Sequence, residues 1–458
     1  MATKYDAIVI GSGQGGNPLA HKLADKGWQV ALVERKHLGG TCINTGCTPT
    51  KTMVASSQVA FYARNAARWG VRASNVSVDL PAVVARKDKI VTSFRSGQES
   101  KVAARPTLKL YRGHARFTGP HTLQVGEEVI EGERIFINTG TRPMIPKIEG
   151  LEQVGYLTNA SLMELRELPE HLIVIGGGYI GLEFGQMFYR FGSKVTVVHK
   201  GEHLLAREDN DVADELQKIL AAEGMRFVMN ADTRRVEKKD GKIHLTVQSP
   251  AGTETIVGTH LLVATGRIPN ADDLGLDRAG IERDKRGFVK VNNKLETTVK
   301  GVWALGDVKG GPAFTHISYN DYQILWANIV EGKNLTIDNR YLPYSMFTDP
   351  QVGRVGMSET EARASGRKLK IGKIPMSYVA RAIERDETAG FMKVVIDAQT
   401  DRILGAAILG IEGGELVQLL GALMLADAPW TVLKGAVYIH PTLAEGFFTL
   451  MEDVKPVN

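Results

Sequence analysis

The chain has 458 residues and a mass of 49.9 kDa, about three times a typical ~150-residue domain, so its length predicts several domains rather than one. Hydrophobic residues make up 43% and charged residues 23%, values that exclude a mainly disordered or fibrous protein. The net charge of +5 comes from dispersed Lys and Arg residues, a pattern that suits anionic small molecules and argues against a nucleic-acid-binding protein.

The numbers of glycine and cysteine residues indicate further properties of the fold and of the cellular compartment. Glycine supplies 49 residues, roughly 11% against a typical ~7%, so the fold needs many tight turns or close backbone approaches. Two cysteines are too few for a disulfide framework and indicate a reducing compartment. The apolar run from Ala7 to Ile10 is too short for a signal peptide, and no apolar stretch reaches the ~18 residues of a membrane span. We therefore expect a cytoplasmic protein with no membrane partner.

The first predicted element is a short apolar strand, Tyr5 to Ile10, which runs into Gly11, Gly13 and Gly16 with G-x-G-x-x-G spacing. In dinucleotide-binding folds the first glycine makes the tight turn, the second lets the pyrophosphate approach, and the third lets helix and strand pack closely. The phosphates then lie at a helix N-terminus, which favours anions. Glu34 ends the next strand, roughly 20 residues after the glycines, and suits the ribose hydroxyls. A glycine-rich turn without a ligand is the alternative for one such motif.

The two cysteines, Cys42 and Cys47, follow this strand directly. In an ideal helix five residues rise ~7.5 Å, beyond the ~7 Å Cα separation that a disulfide allows, so a bond between them requires a distorted turn. Gly46 and Pro49 suit such a turn, and a small strained ring would be easily reduced, as a catalytic disulfide must be. The alternatives are two inert thiols or a zinc site, for which His37 is the one nearby histidine. We favour redox chemistry.

A second copy of the N-terminal pattern lies further along the chain. The strand from His171 to Ile175 runs into three glycines, and the strand that follows ends at His199, which takes the place of Glu34. Each of these residues follows its N-terminal counterpart at the same distance along the chain. Two fingerprints in the same phasing disfavour an accidental glycine turn and predict two dinucleotide-binding halves. The glycines of the second fingerprint are Gly176, Gly178 and Gly181.

Each half closes with an apolar strand followed by Thr-Gly, at Gly140 in the first half and at Gly266 in the second. Each glycine would give the backbone room beside a cofactor. A further short strand ends in a turn at Asp307, and beyond about residue 340 strand and helix patterns alternate without a glycine fingerprint. This change of pattern predicts a third domain.

Together these motifs resemble those of the class I pyridine nucleotide-disulfide oxidoreductases, the family of dihydrolipoamide dehydrogenase, glutathione reductase and mercuric reductase. Six motifs occur in the family's order along essentially the whole chain: Gly-Thr-Cys42-x4-Cys47-x-Pro-x-Lys51, the two fingerprints, Ala-Thr-Gly266-Arg, Gly306-Asp307 and His440-Pro-Thr-x-x-Glu445. The resemblance implies an α/β fold with two Rossmann-like dinucleotide-binding domains and a C-terminal α+β dimerisation domain. The expected FAD domain is 1–148 with 270–339, the NAD(P) domain is 149–269, and the dimerisation domain is 340–458.

The resemblance also implies roles for single residues. Cys42 would be the interchange thiol that attacks the substrate, and Cys47 would lie against the flavin and form the charge-transfer complex. Lys51 and Glu183 would form an ion pair near the flavin N5 and the nicotinamide, with Tyr179 as an aromatic gate. The residues implied for FAD are Gly11, Gly13, Gly16, Glu34, Lys51, Ala115, Gly140, Asp307 and Thr315. Those implied for NAD(P) are Gly176, Gly178, Tyr179, Ile180, Gly181, His199, Lys200 and Gly266.

Near the end of the chain, His440 and Glu445 suit acid–base chemistry. A histidine titrates in the range needed to move a proton to and from a thiolate, and a carboxylate would fix its tautomer. A His-Pro turn with a structural role is the alternative. In the family this pair comes from the other subunit, so the resemblance implies a homodimer with active sites shared between subunits.

The second half lacks an acidic residue at the strand end that precedes Lys200. Lys200, with His203 and Arg207 nearby, could bind a 2′-phosphate, so we expect NADPH rather than NADH, with a merely solvated Lys200 as the alternative. Residues 303–318 and 344–352 look like the mercuric reductase branch and its relatives that reduce copper(II) or hypothiocyanous acid. Soft Hg(II) needs thiolates, and the chain has no cysteine pair beyond the first one, which argues against efficient mercury reduction.

The sequence therefore predicts an oxidoreductase that passes electrons from NAD(P)H through FAD to the Cys42–Cys47 disulfide and on to a small oxidant, disulfide or metal ion. We expect no structural metal and no nucleic-acid partner. The alternatives are a dihydrolipoamide dehydrogenase or glutathione reductase-type enzyme, a non-disulfide flavin NAD(P)H oxidase or transhydrogenase, and a flavin protein without catalytic activity. Arg381, Glu384 and residues 59–64 are candidates for substrate contacts.

Overall fold

The computed structural model describes residues 2–338 and 340–457. Its strands are β1 (Thr3–Ile10), β2 (Val30–Glu34), β3 (Leu108–Arg112), β4 (Ala115–Gly119), β5 (Thr122–Val125), β6 (Glu128–Ile137), β7 (Thr141–Pro143), β8 (His171–Ile175), β9 (Lys194–Val198), β10 (Arg226–Val228), β11 (Asp232–Lys239), β12 (Lys242–Ser249), β13 (Gly252–Gly258), β14 (His260–Val263), β15 (Arg267–Pro269), β16 (Val302–Ala304), β17 (Tyr344–Met346), β18 (Gln351–Gly356), β19 (Leu369–Pro375), β20 (Phe391–Asp397), β21 (Ile403–Gly410) and β22 (Lys455–Val457).

Its α-helices are α1 (Gly16–Asp25), α2 (Gly40–Asn44), α3 (Cys47–Arg64), α4 (Leu80–Ala103), α5 (Leu151–Val154), α6 (Asn159–Leu162), α7 (Tyr179–Phe191), α8 (Asn210–Glu223), α9 (Leu276–Ala279), α10 (Thr315–Ile329), α11 (Glu359–Ala364), α12 (Ala380–Glu384), α13 (Gly413–Leu425), α14 (Thr431–Lys434) and α15 (Gly446–Glu452). Short 3₁₀ helices cover Ala66–Trp69, Gly306–Lys309 and Met376–Tyr378. Over the two described ranges, no helix is both long enough and apolar enough to cross a membrane.

The chain divides into two compact units. The first comprises residues 1–52, 84–144 and 266–340, and the second comprises 53–83, 145–265 and 341–458. The breaks near 144, 265 and 340 fall close to the expected domain boundaries. Residues 53–83 group with the second unit, whereas the sequence-based division includes them in the FAD domain. The three-domain division itself stays a prediction.

The first unit is built on a sheet with β1 at its centre. β1 pairs in parallel with β2 on one side and β6 on the other, β2 pairs with β3, and β6 pairs with β16. All five residues of β2, with the sequence Val-Ala-Leu-Val-Glu, are buried, as expected for a parallel strand covered on both faces. The strand order reverses between β1 and β6, and a crevice forms at the carboxyl ends of strands at such a switch point.

The second unit repeats this arrangement with the parallel order β10-β9-β8-β14. Its register is also repeated: Ile10 of β1 pairs with Val33 of β2, and Ile175 of β8 pairs with Val198 of β9. Ile175 follows Ile10, and Val198 follows Val33, at the same spacing along the chain that separates Gly176 from Gly11. The strand pairing thus confirms the duplication that the sequence predicts and puts the second switch point between β8 and β14.

The C-terminal part of the second unit is a mixed layer of sheet and helix. Six strands form an antiparallel sheet in the order β17-β18-β21-β20-β19-β22, and α13 packs on β18 and β21. The seven residues of β20 are all buried, and the core between sheet and helix includes Val394, Ile408 and Leu420. These strands and α13 lie beyond residue 340, where the sequence predicts alternating strands and helices.

A buried lysine ties this sheet to the nucleotide-binding part of the same unit. Lys393 on β20 is 1% exposed, and its Nζ lies 2.9 Å from Asp209 Oδ2, 2.8 Å from Asp211 Oδ1 and 3.2 Å from Glu359 Oε2. Asp209 also accepts hydrogen bonds from the N–H and hydroxyl of Thr360. Burial acts to lower the pKa of Lys393, but its bonds to the aspartates raise it overall, so the ammonium is charged at neutral pH.

We expect Lys393→Met to lower the free energy of unfolding by about 3–5 kcal/mol at pH 7, because three carboxylates lose their buried counter-ion. The raised pKa of Lys393 means that its contribution is fully present at pH 7 and is lost only as the pH rises through that pKa. In the variant the deficit should shrink between pH 7 and pH 5, since protonation relieves the clustered carboxylates. Urea denaturation of the two proteins measures this. Lys368→Met on the exposed surface is the control, and a loss below about 1 kcal/mol for Lys393→Met would contradict the prediction.

Candidate active site

Two glycines shape the turn between β1 and α1 in the first unit. Gly11 has a φ of +97°, in the region that favours glycine, and a Cβ there would lie 2.4 Å from the carbonyl oxygen of Asn138. A Cβ on Gly16, the first residue of α1, would lie 2.2 Å from the carbonyl oxygen of Gly11. The chain itself therefore passes too closely for any other residue, which is the packing that the first and third glycines of the fingerprint predict.

Asn138 is a residue of this turn that the sequence analysis missed. Its Oδ1 accepts the N–H of Gly16 at 2.9 Å, and its Nδ2 donates to the carbonyl oxygen of Leu305 at 2.9 Å. One buried amide thus joins the N-terminus of α1 to the chain that leaves β6 and β16. A comparison of the two halves could have pointed to Asn138. The first half has Asn138 before its Thr-Gly, whereas the second half has Ala264 at the corresponding position.

The crevice of the first unit has the groups that FAD requires. Glu34 ends β2 and is buried, and its Oε2 accepts the N–H and hydroxyl of Ser12 at 3.0 and 2.7 Å. Asp307 accepts the hydroxyl of Thr141 at 3.1 Å, and burial raises its pKa. A Cβ on Gly140 would meet no described atom within 4 Å, so the backbone there borders open space. A helix N-terminus, strand-end carboxylates and an open backbone edge fit a pyrophosphate with its riboses.

Ala115, the residue expected beside the adenine, is buried at the start of β4 and pairs with Val125 of β5. Gly13, the second glycine of the fingerprint, lies in the turn before α1, where a Cβ would come 2.7 Å from Asn138 Oδ1. Both residues therefore belong to the first unit, as the FAD assignment requires. Their contacts with the cofactor stay predictions.

The cysteines lie where α2 ends and α3 begins. α2 ends at Asn44 and α3 starts at Cys47, so the helix is interrupted at Thr45 and Gly46. This interruption is the distortion that the spacing of the cysteines requires. The structure holds Cys42 and Cys47 as two thiols that hydrogen-bond to each other, which is the reduced form of the expected pair.

The two thiols differ in acidity. The hydrogen bond to Cys47, together with burial, raises the pKa of Cys42. The same hydrogen bond lowers the pKa of Cys47 to about 6, and the Thr315 hydroxyl, 3.1 Å from its Sγ, and the ammonium of Lys51 lower it further against the effect of burial. Thr315 is the first residue of α10, and a helix N-terminus favours a thiolate. At neutral pH Cys47 is the thiolate and Cys42 carries the proton.

We expect Thr315→Val to raise the pKa of Cys47 by about one to two units, because a hydrogen bond to a charged group is worth about 1.5–3 kcal/mol. The rate of iodoacetamide alkylation at Cys47 in the reduced protein, followed by peptide mass spectrometry between pH 5 and 9, gives the midpoint. It should lie near pH 6 before the substitution. Thr118→Val on the exposed edge of β4 is the control. An unchanged midpoint would show that the hydroxyl does not stabilise the thiolate.

The second unit repeats the glycine turn between β8 and α7. Gly176 has a φ of +116°, and a Cβ there would lie 2.3 Å from the carbonyl oxygen of Ala264. A Cβ on Gly181 would lie 2.1 Å from the carbonyl oxygen of Gly176. At Gly178, which caps α7, a Cβ would meet no described atom within 4 Å. The second glycine therefore borders space that a pyrophosphate can enter, and this fits a nicotinamide dinucleotide.

The other residues expected at this second site lie on or beside the same helix and strand. Tyr179 and Ile180 open α7 and are half-buried. Glu183, one turn further along, is buried and its Oε1 accepts the N–H of Phe347 at 2.8 Å. His199 directly follows β9, and its Nδ1 accepts the N–H of Gly177 at 3.1 Å.

The basic residues near His199 differ in their surroundings. Lys200 and Arg207 are exposed. The Nδ1 of His203 lies 2.6 Å from Asp214 Oδ1, so this ring is already paired with a carboxylate. Lys200 and Arg207 are therefore the two of these three basic residues whose side chains are exposed.

The C-terminal His440 and Glu445 form the pair that the motif predicts. His440 Nδ1 lies 2.9 Å from Glu445 Oε2, and the side chains are 72% and 18% exposed. The peptide bond between His440 and Pro441 is cis. Because the carboxylate occupies Nδ1, proton exchange with a substrate or thiol would take place at Nε2.

Three of the expected site assignments stay predictions. Lys51 and Glu183 belong to different units, so their ion pair stays a prediction. Gly266, expected at the NAD(P) site, belongs to the first unit, where its carbonyl oxygen accepts the N–H of Met144 at 2.9 Å. The candidate substrate residues Arg381 and Glu384 form an exposed ion pair of 3.0 Å.

The family model described as pyridine nucleotide-disulphide oxidoreductase matches residues 5–321, and the model of that family's dimerisation domain matches residues 342–451. The probable pyridine nucleotide-disulfide oxidoreductase RclA of Escherichia coli K12 is 37% identical over 99% of this chain and 100% of its own length. A mercuric reductase of Lysinibacillus sphaericus is 35% identical over 96% of this chain and 81% of its own, and a dihydrolipoyl dehydrogenase of Thermus scotoductus is 35% identical over 98% and 97%.

Solved structures agree with these relatives. The HOCl-induced flavoprotein disulfide reductase RclA from Escherichia coli superposes with a TM-score of 0.90 at 36% identity, covering 98% of this chain and 99% of that one. Its Cu(II) complex gives a TM-score of 0.89. The fold class and the flavoprotein disulfide reductase function that the sequence predicts are thereby confirmed, with FAD and a pyridine nucleotide as cofactors and a dimerisation domain that supports a homodimer. The chain belongs to the pyridine nucleotide-disulphide oxidoreductase family.

Proposed function

We propose that the protein is an NADPH-dependent enzyme that reduces its Cys42–Cys47 disulfide and uses the resulting dithiol to reduce a small oxidant, with copper(II) and hypothiocyanous acid as the leading candidates. It would act in the cytoplasm, where NADPH is supplied and thiols stay reduced. The observation that carries this proposal is the position of Cys47, whose Sγ lies 3.1 Å from the hydroxyl of Thr315 at the start of α10. A thiolate held by Thr315 at the N-terminus of α10 lies in the same unit as the glycine turn that fits FAD.

The division of labour between the two sulfurs follows from their protonation. Bound FAD would carry two electrons from NADPH to the disulfide. Opening of the bond then leaves Cys47 as the thiolate and, after uptake of one proton, Cys42 as the thiol. Cys42 must lose this proton before it can attack an acceptor, since the thiolate is the nucleophile. Its raised pKa means that it needs a base. His440, with Nδ1 held by Glu445, would supply that base through Nε2.

For a disulfide acceptor the steps balance as follows. Cys42 attacks one sulfur, and the departing thiolate takes a proton from His440. Cys47 then attacks the sulfur of Cys42 and restores the disulfide, and the second product leaves as a thiolate that takes a proton from the solvent. With a one-electron acceptor such as copper(II), two ions would be reduced for each dithiol that is oxidised. Both routes return the enzyme to its starting state.

The position of His440 supports a site shared between two subunits. His440 is highly exposed, and so are two apolar residues just before it in the chain, Val437 at 100% and Ile439 at 79%. Leu425, at the end of α13 in the same unit, is 78% accessible. Exposed apolar groups in a dimerisation domain mark a surface that a partner covers. We infer that each subunit lends its His440 to the thiol pair of the other.

Two considerations support the choice of coenzyme and acceptor. Lys200 and Arg207 are exposed after β9, and the residue that directly follows this strand is His199 rather than a carboxylate that would repel a 2′-phosphate. One relative was solved as a Cu(II) complex, and several others are mercuric reductases. Because this chain has just two cysteines, we favour acceptors that need a single dithiol over Hg(II), which calls for additional thiolates.

A steady-state screen of the FAD-loaded dimer tests the proposal. NADPH and NADH are each combined with copper(II), hypothiocyanous acid, Hg(II), lipoamide, glutathione disulfide and quinones. We expect NADPH with copper(II) or hypothiocyanous acid to give the largest kcat/KM. A strong preference for lipoamide with NADH would overturn the proposed acceptor and coenzyme in favour of a dihydrolipoamide dehydrogenase.

Reductive titration separates this enzyme from a flavin oxidase or transhydrogenase that does not use its cysteines. Anaerobic dithionite should deliver about four electrons per subunit, two to FAD and two to the disulfide. A Cys42→Ser, Cys47→Ser double variant should accept about two. If the wild-type protein also accepted only two, the pair would not be a redox disulfide.

A further inference from the structure

The two halves of the chain make the same backbone hydrogen bond with different side chains. In the first half, Glu34 Oε2 accepts the N–H of Ser12 at 3.0 Å. In the second half, His199 Nδ1 accepts the N–H of Gly177 at 3.1 Å. Ser12 corresponds to Gly177 and Glu34 to His199 in the duplication. The imidazole of His199 therefore accepts a backbone N–H of the second glycine turn, as the carboxylate of Glu34 does in the first turn.

The ring of His199 is fixed in this position. Its Nε2 lies 3.1 Å from the carbonyl oxygen of His203 and donates to it. A Cβ on Gly177 would come 2.9 Å from His199 Cγ, and a Cβ on Gly201 would come 2.9 Å from Nε2. The ring is thus enclosed by backbone on both sides.

These contacts also define the charge of the ring. An Nδ1 that accepts and an Nε2 that donates describe a neutral imidazole, and burial lowers the pKa of His199 in agreement. Both nitrogens are used within the protein. His199 consequently has no N–H left to donate to a phosphate and brings neither positive nor negative charge to the strand end.

A carboxylate at this place would have the opposite effect. Glu34 shows that the strand end accommodates one, and such a group binds the ribose hydroxyls of an unphosphorylated dinucleotide. Its negative charge would repel a 2′-phosphate bound close to it. Replacing it by a neutral ring removes the repulsion without losing the hydrogen bond that holds the turn.

We propose that His199 is a positioning residue that determines coenzyme specificity: it holds the Gly177 turn without placing a carboxylate at the end of β9, and so admits a 2′-phosphate. Lys200 and Arg207, rather than His199, then supply the positive charge for that phosphate. This inference rests on the proposed use of NADPH and names the residue that permits it.

The decisive variant is His199→Glu, which keeps an acceptor for the N–H of Gly177 and adds a carboxylate. The ratio of kcat/KM for NADPH to that for NADH should fall at least about 10-fold, mainly through the KM for NADPH. His199→Gln, which keeps an acceptor without a charge, should stay within about threefold of the wild-type ratio. Thr255→Glu on exposed β13 adds the same charge elsewhere in the unit and should change nothing.

Direct binding gives a second readout that does not depend on turnover. Calorimetry of the FAD-loaded dimer with 2′,5′-ADP and with AMP should show that His199→Glu weakens binding of 2′,5′-ADP at least about 10-fold and leaves AMP unaffected or tighter. The inference fails if His199→Glu keeps the wild-type preference, or if His199→Gln loses it equally. A wild-type enzyme that prefers NADH would instead refute the proposed coenzyme, and the two failures are therefore distinguishable.

Discussion

Cys42→Ser should lower kcat/KM for every physiological acceptor by at least about 10⁴-fold, since removal of a nucleophile commonly costs this much or more. The hydroxyl of serine is not ionised at neutral pH and cannot form the disulfide. The features that fit FAD are the glycine turn, Asn138, Glu34 and Asp307, and they are untouched. We therefore expect the variant to retain FAD at full occupancy.

Two measurements distinguish this loss from a general defect. Rapid mixing with NADPH should still bleach the bound FAD at the wild-type rate, while steady-state reduction of copper(II) or hypothiocyanous acid disappears. Thr41→Ser, a conservative change at the exposed residue beside Cys42, is the matched control and should keep full activity. Turnover of the acceptors by Cys42→Ser at wild-type rates would show that electrons leave the FAD directly.

His440→Gln should lower kcat/KM for the acceptor by about 10²–10⁴-fold, the usual contribution of a general acid or base. Glutamine can keep the hydrogen bond to Glu445 but cannot exchange a proton near neutral pH. Reduction of the Cys42–Cys47 pair by NADPH should persist, because the proton transfers that need His440 belong to the acceptor half of the cycle. The pH dependence of kcat/KM should lose one ionisation in the variant.

Mixed dimers test whether His440 serves the opposite subunit. In a dimer of one Cys42→Ser chain and one His440→Gln chain, one site combines both defects and the other combines neither. Co-expression of the two chains should restore about a quarter of wild-type activity, since about half of the dimers are mixed and each has one intact site. If each subunit used its own His440, every site would carry one defect and no activity would return.

The duplication shows how much of the fold could be predicted from local sequence. A glycine that must adopt a positive φ, or that a neighbouring strand passes closely, leaves a mark in the sequence because no other residue fits. Gly11 and Gly176 are such positions, with φ of +97° and +116°. The strand-glycine-helix pattern then predicts two dinucleotide-binding halves, while the strand order that creates the switch points came from the structure. The constant spacing of the repeat fixes the equivalence of the halves, down to the register of β1 with β2 and β8 with β9.

The cysteine pair was predictable in kind but not in detail. The spacing of Cys42 and Cys47 requires a break in the helix, and the structure has that break at Thr45 and Gly46. Which sulfur is the thiolate depends on Thr315, which is 268 positions from Cys47 in the chain. No local pattern reports a contact of that range.

The sequence by itself determined the elements whose requirements are local: two glycine turns, their strands and helices, a redox pair and a His-Pro-x-x-x-Glu motif. Only the tertiary structure decided the contacts that join distant segments. Asn138 reaches the N-terminus of α1, Lys393 lies among three carboxylates, and His199 turns inward to hold a glycine N–H. The physical reason is that the role of a polar side chain depends on which donor or acceptor folding brings within about 3 Å of it, and that partner is set by the packing of the whole unit.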